Sequence, residues 1–219
     1  MGKTKFDFSG QVAIATGAAV GIGRGAAQAF ADFGAKVYLL DIDDEKTEKS
    51  AETIRDSGGD ATFIHCDITN SGEVKAVFER IVSEAGRIDV LLNNAGGFNK
   101  QLTVAETDEE EWDQVISRNL KGVFLCSRAA IPTLMEQKSG RIINMGSVAG
   151  QASMTRSSPP YSAAKLVGHD AGHGERAWRT QHHRECHCTR HHRDGPRRRP
   201  EERGAAQTNR LPLAPGPHW

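Results

Sequence analysis

No run of apolar residues in this chain is long enough to cross a bilayer, and its first eleven residues, Met1 to Gln11, are polar and mixed in charge. The first absence excludes a transmembrane helix. The second leaves no apolar core for a signal peptide, so the reading is of a soluble, cytoplasmic protein. The four cysteines, Cys66, Cys126, Cys186 and Cys188, form no disulfide framework. Net charge is absent too, with 28 Lys and Arg against 28 Asp and Glu. That zero is the sum of two unlike parts. Residues 169–219 contain no Ile, Val, Phe, Tyr, Met or Lys; they carry 10 Arg against 6 acids, eight of the nine His and five of the eight Pro. A segment so poor in core residues cannot offset its own ordering entropy. Residues 1–168 carry 18 basic and 22 acidic residues and have the composition of one packed domain. The chain therefore divides into a domain over 1–168 and an Arg/His/Pro-rich tail over 169–219 that is expected to lack order.

Within the first part, short apolar runs alternate with amphipathic stretches. Strands are expected at Val12–Thr16, Lys36–Asp41, Ala61–Asp67, Asp89–Asn93 and Arg141–Met145. Helices are expected at Ile22–Phe33, Asp44–Ser57 and Ser71–Ala85. A long one lies within Glu109–Met135, with a weak break near Gly122. Val74, Val77, Phe78, Ile81 and Val82 share one face of the third helix. Strands alternating with helices imply right-handed crossovers and a parallel sheet covered on both faces.

Thr16, Gly17, Gly21, Ile22 and Gly23 fall between the first strand and the first helix. Glycine lets a backbone turn tightly and approach a pyrophosphate, whose charge suits a helix N-terminus. The spacing is not G-x-G-x-x-G, and alone it marks no more than a turn. Asp41 ends the second strand, 18 residues past Gly23. A carboxylate there can hydrogen-bond both hydroxyls of an adenosine ribose and would repel a 2′-phosphate, so NAD is favoured over NADP. Val20, where a basic residue would have met that phosphate, agrees. Asn93-Asn94-Ala95-Gly96 follows the fourth strand and suits a cofactor crevice, or only a loop. Asn119 interrupts a helix it does not favour, and Ser147 follows the fifth strand. Tyr161 and Lys165 are four apart and share a helix face, with Pro159 and Pro160 at the entry. A free phenol has a pKa of roughly 10, and a neighbouring ammonium favours its ionised form.

Taken together over residues 8–165, these motifs resemble the classical short-chain dehydrogenase/reductase family. The resemblance implies a Rossmann-type, doubly wound α/β fold and an oxidoreductase that interconverts an alcohol and a ketone or aldehyde. By resemblance, Gly17, Gly21, Ile22 and Gly23 line the pyrophosphate. Asp41 holds the ribose, Asp67 and Ile68 border the adenine, and Asn93, Ala95 and Gly96 border the cofactor. Asn119, Ser147, Tyr161 and Lys165 match the catalytic four. Tyr161 is the acid/base, Ser147 binds the substrate oxygen, Lys165 tunes Tyr161 and binds the nicotinamide ribose, and Asn119 holds a relay water. The segment from Ser147 to Tyr161 is one residue longer than the family's usual spacing. Family members are usually homotetramers or dimers; here the interface helix is disrupted. The partner is a small alcohol or carbonyl, with no nucleic acid and no membrane.

After Lys165 the resemblance stops. The family continues this helix and adds a strand ending V-N-x-I-x-P-G, whereas this chain has Gly168, Gly172 and Gly174, then His and Arg clusters. Cys186-His187-Cys188 with His182, His183, His191 and His192 lacks the paired spacing of a zinc site. Arg197–Arg199 comes with no aromatic platform for nucleic acid. Read one base later, the codons of the tail allow M-T-R-A-M-A-S-E-L-G-A-H-N-I-T-V-N-A-I-A-P-G, the missing helix and strand. Trp178, with a single codon, forces a glycine in that frame. The tail thus reads as a frameshift between Lys165 and His169. The chain is then C-terminally incomplete, with the alternative that it is a defective member keeping at most adenine-nucleotide binding.

Overall fold

The computed structural model describes residues 6–150 and 158–166. The readings made on 169–219, including the zinc, nucleic-acid and frameshift readings, lie outside the described residues.

Five strands, β1 (Val12–Thr16), β2 (Lys36–Asp41), β3 (Asp60–His65), β4 (Val90–Asn93) and β5 (Arg141–Asn144), form one parallel sheet in the order β3-β2-β1-β4-β5. Their residues leave alternately to two faces, and both faces are buried, so the strands read as near-continuous apolar runs. Val12, Ile14, Tyr38, Leu40 and Leu91 point to one side. There they meet Phe78 and Ile81 of α3 (Ser71–Ala85) and Leu125 and Leu134 of α5 (Gly122–Gln137). Ala13, Ala15, Val37 and Leu39 point to the other side. They meet Ala27 and Ala31 of α1 (Gly21–Asp32) and Ala51 and Ile54 of α2 (Asp44–Asp56). The second layer is built largely of alanine, which lets those helices lie close to the sheet. Asp89 anchors the start of the sheet. Its carboxylate accepts the Val12 amide at 2.9 Å and both guanidinium contacts of Arg87 at 2.7 Å.

Helix ends follow the local chemistry. Asp43 caps α2, Asn70 caps α3, and Asp108 caps α4 (Glu109–Ile116), each accepting a first-turn amide. α1 is different. Its N-cap is Val20, which makes no side-chain cap bond, and its first turn holds no acidic residue.

Two expectations shift. The third strand ends at His65, not Asp67. The Asp67 carboxylate accepts the Thr69 amide and hydroxyl, both at 2.8 Å, and this local turn competes with the ladder. The break in the long helix is a single π turn over Ser117–Lys121, just before Gly122, and the helix then runs through Pro132 to Gln137. The last helix, α6 (Pro159–Leu166), packs against the short 3-10 turn Val148–Gly150, α4 and the π turn. Among the described residues β5 pairs only with β4, and its residues are half-buried or exposed where β1 and β4 are buried throughout.

Candidate functional site

The carboxyl ends of β1 and β4 diverge at the centre of the sheet, because the chain leaves β1 towards β2 and β4 towards β5. Such a switch point opens a crevice. The turn after β1 is shaped by Gly17 (φ 65°) and Gly21 (φ 63°), in the left-handed region that favours glycine. A side chain on Gly17 would meet the Ala95 Cα at 2.7 Å, whereas one on Gly21 would stand in open space. Gly17 is thus glycine for packing, and Gly21 leaves an open approach over the start of α1.

Asn94 fixes this turn to the end of β4. Its side-chain amide donates to the carbonyls of Thr16 (3.1 Å) and Gly17 (3.0 Å). The buried Thr16 hydroxyl answers by accepting the Asn94 and Ala95 amides at 3.0 and 3.1 Å. Sequence reasoning left Asn94 out of the site, and its position inside Asn93-Asn94-Ala95-Gly96 was the only signal. Asn93 faces the other way: its amide donates to Ser127 Oγ (3.0 Å) and Asn144 Oδ1 (2.8 Å). Its Oδ1 is the one buried side-chain polar atom without a partner among the described residues.

Asp41 lies at the rim of the crevice. One carboxylate oxygen accepts the Ala19 amide of the glycine turn at 3.0 Å, and the other accepts the amides of Ile42 (2.8 Å) and Asp43 (3.2 Å). The carboxylate is therefore held beside the turn by backbone donors alone. Asp67 lies two residues past the end of β3, and Ile68 is buried with its side chain in the notch left by Gly122. A Cβ on Gly122 would come within 2.4 Å of Ile68 Cδ1.

On the β4–β5 side, Asn119, Tyr161 and Lys165 converge. Asn119 sits in the π turn, 2% exposed. It grips the Gly97 backbone from both sides, accepting its N–H and donating to its carbonyl, each at 2.8 Å, and it also donates to the Val115 carbonyl (2.9 Å). A Cβ on Gly96 would lie 2.4 Å from Asn119 Oδ1 and 3.4 Å from Lys165 Nζ, so these three meet at one point. Lys165 is 7% exposed, and burial holds its ammonium below the ordinary lysine range. Its Nζ donates to the Met145 carbonyl at 3.1 Å and lies 5.7 Å from the centre of the Tyr161 ring. The Tyr161 ring packs on Phe98, centroids 4.8 Å apart, a neighbour that sequence reasoning also missed. Ser147 lies on the turn that α6 packs against. Its Oγ accepts the Ala149 amide at 3.2 Å, and a hydroxyl that accepts can still donate. Cys66 and Cys126 are free and buried, and burial pushes both thiols up to about 12, far from a reactive range. No cluster of metal-ligating side chains occurs among the described residues. None of their helices is long and apolar enough to cross a membrane.

A parallel sheet in this order, with a glycine turn at its switch point, is the frame of a doubly wound nucleotide-binding protein. The chain belongs to the short chain dehydrogenase family, which matches it over residues 11–171. It is 40% identical over 156 residues to an uncharacterized oxidoreductase of Bacillus subtilis. It is 42% identical over 139 residues to a 3-oxoacyl-acyl-carrier-protein reductase of Staphylococcus aureus. These matches take in 71% and 63% of this chain, and 56% of each relative. The crystal structure of a candidate short-chain dehydrogenase/reductase from Burkholderia xenovorans superposes with a TM-score of 0.70 at 32% identity, over 73% of this chain and 65% of that one. The chain thus spans little more than half the length of the curated relatives it matches.

Proposed function

We propose that this chain carries the site of an NAD-dependent oxidoreductase that interconverts an alcohol and a ketone or aldehyde, with Tyr161 as the general acid and base. The observation that carries the reading is the start of α1. Three other helices are capped by an Asp or Asn side chain, while α1 begins behind Gly21 with no cap and no acid. Unsatisfied amides at a helix N-terminus, at a switch point and open above Gly21, fit a pyrophosphate. Asp41, tied to Ala19 of the same turn, sits where a ribose would meet its carboxylate. Its charge and the apolar Val20 favour NAD over NADP. Asp67 and Ile68 then border the adenine, and Thr16, Asn93, Ala95 and Gly96 line the passage to the nicotinamide.

The dinucleotide supplies the hydride acceptor or donor. This chain's residues supply the proton path and the fixed charge. Tyr161 takes the hydroxyl proton of the alcohol, or returns it to the carbonyl oxygen, and the Ser147 hydroxyl donates to that oxygen. Lys165 places its ammonium beside the phenol as the proton leaves and reaches the nicotinamide ribose. Asn119, locked to Gly97, holds a water in the proton relay from Lys165. The substrate is a small alcohol or carbonyl.

The test is an NADH absorbance assay over a panel of alcohols and carbonyls. Turnover by the wild-type chain, falling by about 10²–10⁴-fold in Tyr161→Phe, is the expected result. A second reading is favoured by the family match ending shortly after Lys165 and by the edge position of β5. In it the chain is a frameshifted member that keeps adenine-nucleotide binding without turnover. NADH binding with no turnover would select that reading, and a chain with neither would sink both. Coding DNA across residues 160–175 decides the frameshift independently.

A further inference from the structure

His65, at the end of β3, is half exposed and stands between two helix N-termini. Its Nδ1 bonds the Asp44 carboxylate in the first turn of α2, and its Nε2 lies 3.4 Å from Glu73 Oε1 in the first turn of α3. The same Glu73 oxygen accepts the backbone N–H of Asp67 at 2.9 Å. Several contacts fix the Asp67–Ile68 turn, among them the Asn70 amide, which donates to the Asp67 carbonyl at 3.0 Å. The Asp67 carboxylate takes Thr69, the Ile68 side chain fills the Gly122 notch, and Glu73 holds the Asp67 amide. Of these, only the Glu73 contact is linked to a group that titrates near neutrality.

We infer that Glu73 is a positioning residue for the adenine end of the site, and that His65, when charged, holds Glu73 against the Asp67 amide. The inference rests on the dinucleotide reading above. The charged groups that act on the imidazole are Asp44 from α2, Glu73 from α3 and Asp67 from the turn that follows; Asp41, its register partner on β2, has its carboxylate on the amides of Ala19, Ile42 and Asp43. The first three acids all favour the charged ring. The hydrogen bond to Asp44, and then the charges of Asp44, Glu73 and Asp67, raise the His65 pKa above its ordinary value against a small effect of burial. A raised folded value means that the bridge is fully present below about pH 6.5 and is lost as pH rises through the raised value. The hold on the turn, and with it adenine affinity, weakens in the same direction.

The experiment measures binding of NADH and of AMP to the full chain at about pH 6 and about pH 8.5, on either side of the imidazole range. The wild-type chain is expected to bind both several-fold more tightly at the lower pH. Glu73→Ala, which leaves the Asp67 amide without its acceptor, is expected to lose about tenfold for both ligands at the lower pH. Glu73→Gln keeps an oxygen for that amide and loses the charge, so it is expected to retain the wild-type affinity of the higher pH at both values. His65→Gln should do the same. Affinity in Glu73→Ala within about twofold of wild type, or a pH dependence that survives in both His65→Gln and Glu73→Gln, overturns the inference. A wild-type chain that binds neither ligand overturns the dinucleotide reading instead. Hydrogen exchange at the Asp67 amide then decides the positioning role: exchange must be faster in Glu73→Ala than in wild type and Glu73→Gln, and equal exchange rejects it.

Discussion

Gly23 shows how one missing side chain holds the site together. A Cβ there would stand 2.2 Å from the Gly17 carbonyl oxygen and 2.5 Å from Asn94 Nδ2. The first of these is backbone, so it cannot rotate out of the way. Gly23→Ala is expected to push α1 off the glycine turn, costing about 1–3 kcal/mol of stability and most of the NADH affinity. Urea unfolding and an NADH titration measure both, and an unchanged variant would contradict the packing argument. The sequence exposed Gly23 as part of a motif. It did not expose Asn94, because its role depends on two carbonyls more than seventy positions away. Asn119 was legible as a misfit in a helix, but its grip on Gly97 was not.

Among the elements, α1 differs from its neighbours by what its N-terminus lacks. α2, α3 and α4 each carry a capping Asp or Asn that takes one or two of the first amides, and each has an acid in its first turn. α1 has neither and loses the stabilisation a cap would give; in the reading proposed above, its amides are left for a ligand. Val20→Asp is expected to fill that position with a charge that competes with and repels a pyrophosphate, lowering NADH affinity about tenfold. Val20→Ser, a neutral cap, is expected to stay within about twofold. Equal affinities in the two variants would show that the α1 terminus does not receive the phosphates. At this scale the sequence placed most boundaries within two residues, since apolar runs, glycines and capping acids are local signals. It mistook the end of β3 because a side-chain turn at Asp67 competed with the ladder. It expected a weak break near Gly122, and the structure has a π turn over Ser117–Lys121 directly before it.

For the whole molecule, the side of β5 that has no strand neighbour among the described residues matters most. The order β3-β2-β1-β4-β5 is the doubly wound order 3-2-1-4-5-6 without its last strand among the described residues. Ile142 and Ile143 each back onto one of the two cores, yet both are only half-buried. An edge of this kind recruits other chains. The chain is expected to associate with rising concentration, as read by light scattering or sedimentation. Replacing 166–219 with the residues of the shifted frame is expected to give one discrete species. A wild-type chain that stays monodisperse at every concentration would show that the β5 edge is covered.

The amino-acid order alone determined the alternation of strands and helices, the family, and the residue types offered to a dinucleotide. All of these follow from local periodicity and short motifs, which need no knowledge of what lies across the sheet. Only the tertiary structure decided that Asp41 is bound to the glycine turn, that Gly96, Asn119 and Lys165 meet at one point, and that Glu73 accepts the Asp67 amide beside His65. Those contacts join residues from separate crossovers. They exist because a parallel sheet brings the carboxyl ends of all its strands to one edge.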